Sequence, residues 1–155
     1  MKKLIIMMEE KKHLFLPFQK LEAFASAPIR KTSGSAGLDL ASAYDATIPP
    51  NAVGRIKTEI CVKIPDNCVG YIAARSGFSF NHNCNVLGGI IDSDYEGELV
   101  IQLTNLSNTN PLEITKGDRI AQLLCIPIEY PVPLLTKISN NTARGSAGLG
   151  STGMR

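Results

Sequence analysis

Leu99-Val100-Ile101-Gln102-Leu103-Thr104 decides the fold. Leu99, Ile101 and Leu103 alternate with Val100, Gln102 and Thr104. Successive side chains of an extended chain point to opposite faces, so a period of two predicts a strand with one buried face. The same alternation puts Ile60, Val62 and Ile64 on one face, opposite Cys61 and Lys63. Ile120, Leu123, Leu124, Ile126 and Ile128 form a longer apolar run. Pro127 should confine that run to an edge or a bulge, because proline has no N–H for a ladder. Turn residues separate the runs at Pro49-Pro50-Asn51, Pro65-Asp66-Asn67, Asn108-Thr109-Asn110-Pro111 and Lys116-Gly117-Asp118. Helical periodicity is scarce, and at most one short helix is expected, near Ser76 to His82. Many short strands between closely spaced turns predict an all-β sandwich or jelly roll.

A chain of 155 residues with 44% apolar residues fits one domain with a real core. A net charge of +2 gives no electrostatic case for nucleic acid or an anionic membrane as partner. Cys61, Cys68, Cys84 and Cys125 show neither CxxC nor zinc-ligand spacing, which points to free thiols in a reducing compartment. Met1 to Met8 begins like a signal peptide, but Glu9-Glu10-Lys11-Lys12 ends the apolar run early. The expectation is a soluble, intracellular protein with a loose arm over residues 1–13, a β domain over 14–139 and a mobile glycine-rich lid over 140–155.

Four internal segments carry groups suited to chemistry. In Gly88-Gly-Ile-Ile-Asp-Ser-Asp-Tyr-Glu-Gly-Glu98, acidic residues fall at alternate positions from Asp92. One continuous strand would crowd them on a single face, so Tyr95-Glu96-Gly97 reads as a hairpin turn. A calcium loop is rejected, because Leu103 stands where a bidentate Glu is required. Asp92 can orient a water and take its proton, or belong to a solvated turn. Tyr95 is either hairpin packing or a flat ring leaving no room for a ribose 2′-hydroxyl. Arg75-Ser76-Gly77 suits phosphate oxygens or merely ends a strand. In Gly117-Asp-Arg-Ile-Ala-Gln-Leu-Leu124, Asp118 and Arg119 can pair with each other, and Gln122 needs a partner if buried. Asp39, between Leu38 and Leu40, is either an exposed strand residue or faces a site and holds a hydrated cation.

The last segment, Arg144-Gly-Ser-Ala-Gly-Leu-Gly-Ser-Thr-Gly-Met-Arg155, spells GxGxxG with Gly148, Gly150 and Gly153. That pattern normally needs a strand before it and a helix after it, and the sequence stops two residues past Gly153. As a P-loop it also fails, with Met154-Arg155 in place of Lys-Ser/Thr. What remains is a glycine tail able to close over an anion bound elsewhere.

In order and spacing, five segments resemble the motifs of the trimeric deoxyuridine triphosphatases (dUTPases). They are Ala36-Gly-Leu-Asp-Leu, Arg75-Ser-Gly, Gly89-Ile-Ile-Asp-Ser-Asp-Tyr-Glu-Gly, Gly117-Asp-Arg-Ile-Ala-Gln-Leu and Arg144-Gly-Ser-Ala-Gly-Leu-Gly-Ser-Thr-Gly. Ser42-Ala-Tyr-Asp, Thr47-Ile-Pro-Pro and Ser151-Thr-Gly are most similar to the eukaryotic and DNA-virus branch. The resemblance implies a homotrimer of jelly-roll subunits, each distorted barrel contributing to sites shared by all three chains. It implies hydrolysis of dUTP to dUMP and pyrophosphate with Mg²⁺, which limits uracil in DNA and supplies dUMP for dTTP synthesis. Asp92 would match the base that activates water, and Tyr95 the residue stacked on deoxyribose. The backbone around Gly88 to Gly97, Gly89 included, would bind uracil and exclude a 5-methyl group. Arg75, Ser76, Gly77 and Gln122 would contact phosphates, and Asp39 would act on Mg²⁺ through water. Asp118 and Arg119 would support the site and the trimer. In the tail, Arg144, Gly150, Ser151 and Thr152 would close over phosphates and Leu149 over the base.

Three positions depart from the family pattern. Leu149 replaces a stacking Phe, which weakens tail closure. Ala74 replaces Pro and loosens the turn before Arg75, and Phe78 replaces Leu. No charged catalytic group is lost. The rivals are a dCTP deaminase of the same superfamily, whose signature is missing here, and a catalytically silent trimeric binding module.

Overall fold

The computed structural model describes residues 15–138. The expected N-terminal arm and C-terminal lid lie outside the described residues, as do the end residues of the expected 14–139 domain. The described elements are β1 (Phe18–Lys20), β2 (Leu38–Ala41), β3 (Ala46–Ile48), β4 (Val53–Val62), β5 (Cys68–Ala74), α1 (Ser76–His82), β6 (Cys84–Leu87), β7 (Ile90–Ile91), β8 (Glu98–Asn105), β9 (Leu112–Ile114) and β10 (Arg119–Pro127). One sheet has the order β1-β4-β8-β6, a second the order β2-β10-β5-β7, and β3-β9 form a two-stranded ribbon. The pairings are antiparallel. This is the all-β jelly-roll architecture with one short helix that the strand and turn pattern predicted.

The core lies between the two larger sheets. Strand β8 contributes Leu99, Ile101 and Leu103, all within 1% of complete burial, while Val100 faces outward. Ile60, Val62 and Ile64 are buried with them, as are Leu40, Ile72, Ile120 and Leu123 from the second sheet. Each such side chain contributes roughly 1.5–3 kcal/mol on leaving water, which makes this shared face the main stabilising term.

One expectation needs correction. The run carrying Pro127 is not an edge strand, since β10 lies between β2 and β5, and its irregularity against β2 falls between Arg119 and Ala121, away from Pro127. Pro127 is tolerated because β2 pairs with β10 only as far as Leu123. The ladder to β5 ends at Pro127, opposite Cys68, so the missing N–H falls where pairing stops.

The four cysteines are free, as their spacing suggested. Burial pushes the Cys61, Cys84 and Cys125 thiols above their ordinary value of 9.0; nearby Glu98 and Glu59 add to the rise at Cys61. A raised thiol pKa means less thiolate at a given pH, hence slower reaction. At pH 8, a disulfide reagent should label these thiols in the folded protein more slowly than a model thiol, and label all four at the model rate in denaturant. Because the unfolded thiols lose protons first as pH rises past 9, stability should fall there. Urea midpoints at pH 8 and pH 10 check the sign.

Candidate active site

Strand pairing builds the first part of the site. Asp39 on β2 lies opposite Gln122 on β10, and Gln122 lies opposite Ala73 on β5. Arg75 follows β5 by one residue, and Arg119 opens β10. Arg75 Nε donates to Asp39 Oδ1 at 2.9 Å, and Arg119 donates to Oδ2 at 2.9 Å. Arg75 also donates to the Arg119 carbonyl. Asp39 is only 9% exposed, so it is neither a solvated strand residue nor an unpaired charge. Burying a carboxylate at that depth without partners is costly, and here two guanidiniums pair with it.

The alternative in which Asp118 pairs with Arg119 is not what the structure shows. Asp118 instead accepts the Thr115 N–H at 2.8 Å and closes the turn whose third residue, Gly117, has φ 91°. That turn releases Arg119 to reach Asp39.

Asp39, Arg75, Ser76, Gly77 and Gln122 line one recess of about 210 Å³. Ser76 and Gly77 occupy the first turn of α1, where backbone N–H groups have no intrahelical acceptor. An extended Arg75 precedes the helix, and left-handed Asn83 (φ 48°) ends it, its N–H bonding to the Ser79 carbonyl. Gln122 is half-buried and finds the partner it requires, donating to the Ala74 carbonyl at 3.0 Å. One amide hydrogen and its carbonyl remain for a ligand. Gly37 is bare because a Cβ there would strike the Gln122 side chain. Lys31 and Ser35 join the same recess, and neither drew attention in the sequence. The available signal was the cation Lys31 shortly before Gly34-Ser-Ala-Gly.

The second part corrects the hairpin reading. Strands β7 and β8 do not pair; β7 adds to β5 and β8 lies between β4 and β6. The chain crosses from the first sheet to the second at Gly88 and Gly89, with φ 70° and 92°. Gly89 accepts the Ile72 N–H at 2.7 Å. A Cβ on Gly89 would collide with the Ile72 carbonyl oxygen. The chain then turns at Asp92–Tyr95, where the Tyr95 N–H meets the Asp92 carbonyl at 3.1 Å, before returning to the first sheet. The turn thus begins at Asp92, three residues before the expected start at Tyr95.

Asp92 is exposed, and Tyr95 is 44% exposed. The ring of Tyr95 lies over Gly97, where a Cβ would collide with it, and its hydroxyl donates to the Glu98 carbonyl at 2.9 Å. Asp92, Tyr95, Ile90 and Val100 line a recess of about 200 Å³. No residue lines both recesses. Within one chain the site residues therefore form two groups, Asp92 with Tyr95 and Asp39 with Arg75, Ser76, Gly77 and Gln122. Arg144, Leu149, Gly150, Ser151 and Thr152 lie outside the described residues.

A family model described as dUTPase matches residues 24–153, most of the chain and both groups. The chain belongs to the dUTPase family. The deoxyuridine 5'-triphosphate nucleotidohydrolase of swinepox virus is 45% identical over 141 residues, covering 91% of this chain and 99% of the viral protein. The human mitochondrial deoxyuridine 5'-triphosphate nucleotidohydrolase is 44% identical over 138 residues, covering 89% of this chain and 54% of the human protein. The dUTPase of Staphylococcus bacteriophage 80alpha, solved with dUPNHPP, superimposes with a TM-score of 0.83 at 30% identity, covering 90% of this chain and 98% of the phage chain. The chain is accordingly an enzyme of nucleotide metabolism, a dUTP nucleotidohydrolase, with relatives in the eukaryotic and DNA-virus branch.

The geometry of this dUTPase makes Gly89 irreplaceable. Gly89→Ala should lose about 2 kcal/mol or more from the positive φ and the clash with Ile72. Urea unfolding of the variant against the parent measures that loss, and an unchanged midpoint would show that the segment relaxes freely.

Proposed function

We propose that the chain converts dUTP to dUMP and pyrophosphate by in-line attack of a water on the α-phosphorus, in sites shared between the subunits of a homotrimer. The observation that carries this reading is the division of one chain's site residues between two recesses. A carboxylate and a flat ring occupy one, and a cationic cradle occupies the other. A nucleotide needs both, so the Asp92 half of one subunit faces the cradle half of another.

Asp92 is the base. Its carboxylate is exposed and, among the described residues, in no salt bridge, so its lone pairs are available to a water. It orients the water and takes its proton as the oxygen bonds to phosphorus and the bond to the pyrophosphate oxygen breaks. No covalent enzyme intermediate is required, because positioning supplies most of the rate. Tyr95, pinned at both ring and hydroxyl, presents a flat face to the sugar and leaves no space for a 2′-hydroxyl. The backbone from Gly88 to Gly97 reads uracil and excludes a 5-methyl group. Arg75, Ser76, Gly77 and Gln122 bind phosphate oxygens. Arg144, Gly150, Ser151 and Thr152 close over the phosphates and Leu149 over the base.

The donor set fits Mg²⁺ carried by the nucleotide. No group of three ligating side chains occurs among the described residues, as a protein-built cage would need. Asp39 spends one acceptor position of each oxygen on an arginine and keeps others for metal-bound water. When bound, Mg²⁺ would offset triphosphate charge. Removing dUTP limits uracil in DNA and supplies dUMP for dTTP synthesis. An intracellular location, cytoplasmic or nuclear, agrees with the free thiols.

With Mg²⁺ present, pyrophosphate should be released from dUTP and not from dCTP or UTP. Folded protein that leaves dUTP intact would instead support a silent binding module. Asp92→Asn should lower turnover by about a thousandfold or more while nucleotide binding persists. Retained turnover would remove Asp92 as base. Leu149→Phe should lower KM for dUTP by restoring an aromatic lid. An equal or higher KM would mean that residue 149 does not cover the base.

A further inference from the structure

The cradle holds more positive charge than the family motifs account for. Arg75 and Arg119 are both bound to Asp39, so the three groups together leave a single net positive charge. Lys31 lines the same recess and, among the described residues, forms no salt bridge. Among the described residues it is the cation of this recess that no carboxylate engages, at a site that must receive several negative charges.

The loop carrying Lys31 is held in place. Asp39 N–H donates to the Ile29 carbonyl at 2.8 Å, and Ile29 N–H donates back at 3.3 Å. This bridge registers the start of the loop to the clamped carboxylate. Arg30 donates to the Ser35 carbonyl and, at 3.1 Å, to that of Ala36. The Ser35 N–H returns to the Thr32 carbonyl at 3.0 Å, and the Thr32 and Ser35 hydroxyls lie 2.8 Å apart. Arg30 thus closes the loop from within, and Lys31 lines the recess.

We propose that Lys31 is a further substrate-binding residue that contacts the phosphates beyond the α-phosphorus. The assignment rests on reading this recess as the phosphate cradle. The attacked α-phosphorus must lie near Asp92, which lines the other recess. The cradle therefore receives the part of the triphosphate that leaves as pyrophosphate. A lysine is suited to that end, because its compact charge follows a group that must depart, without the fixed fork of arginine.

Calorimetric binding of dUMP and of the α,β-imido analogue of dUTP, with Mg²⁺ and the full-length protein, tests this. Lys31→Ala, Lys31→Arg and Arg75→Ala are compared with the parent. Lys31 is exposed, so its substitution should leave the fold intact, which far-UV circular dichroism checks. Lys31→Ala should weaken the analogue by about three- to tenfold and leave dUMP within about twofold. Lys31→Arg should retain most of the analogue affinity, and the loss in Lys31→Ala should shrink at high salt. If Arg75→Ala weakens the analogue and Lys31→Ala does not, Lys31 is a solvated bystander and the proposal is wrong. Equal losses for dUMP and the analogue would also overturn it. If Arg75→Ala leaves analogue binding unchanged, the cradle reading itself falls, and the role of Lys31 with it.

Discussion

The arrangement depends on one carboxylate held between two guanidiniums. Asp39 belongs to β2, Arg75 directly follows β5 and Arg119 starts β10, so their two bonds tie together the same end of three neighbouring strands. Removing either arginine would leave a nearly buried charge half-compensated, and removing Asp39 would leave two cations facing each other. The clamp also leaves its arginines usable. Arg75 commits Nε and one terminal nitrogen, to Asp39 and to the Arg119 carbonyl. Its remaining donors stay free for a phosphate. A side chain fixed by two protein contacts gives up little further freedom when a ligand arrives, which is why a structural ion pair can sit inside a binding cradle.

A second constraint organises the other recess. Strand β4 carries Glu59 at φ 54°, within a register shift against β8 between Lys57 and Cys61. A non-glycine residue there is strained, and the strain persists only where neighbours fix it. Here Glu98 Oε1 accepts the Glu59 N–H at 2.9 Å, while Lys57 lies 3.1 Å from Glu59 and 3.5 Å from Glu98. Tyr44 donates to Glu59 at 3.0 Å, which raises the Tyr44 pKa. Glu98 therefore fixes the bulge with its side chain and the Tyr95 hydroxyl with its carbonyl. The flat ring proposed to select deoxyribose stands on the same residue that holds the irregular strand.

Local alternation made the strands legible. Leu99, Ile101 and Leu103 follow a strict period of two and are buried as that period requires, and the one helix among the described residues falls at Ser76 to His82 as expected. Long-range pairing was not legible. Nothing local tells Pro127 that β2 ends before it, or Arg119 that Asp39 is nearer than Asp118. The step at Gly88 and Gly89 shows the same limit: the glycines announce a special backbone, but which sheet each flanking strand joins is settled by partners far along the chain. Residue identities could nominate Asp39, Arg75 and Gln122, while their meeting in one recess needed the ladder β2-β10-β5. Lys31 was missed because an exposed lysine in a loop has no periodicity, and only the three-dimensional inventory of charge distinguishes it.

Division of the site between two recesses has a consequence for specificity. In the proposed assembly, one subunit reads the base and sugar and another holds the phosphates. On that proposal, discrimination against a 2′-hydroxyl or a 5-methyl group would be steric and would arise at Tyr95 and the Gly88–Gly97 backbone. Discrimination against monophosphates would be electrostatic and would arise at Arg75, its clamp and Lys31. Steric and electrostatic selection of this kind respond to different changes, so substitutions in the two groups should combine nearly additively in binding. Chemistry would differ, because in the proposed mechanism the water oriented by Asp92 must line up with a phosphorus whose place is set from the cradle. Misalignment at either half then lowers the rate as a product, since the reacting atoms meet only when both halves are correctly placed.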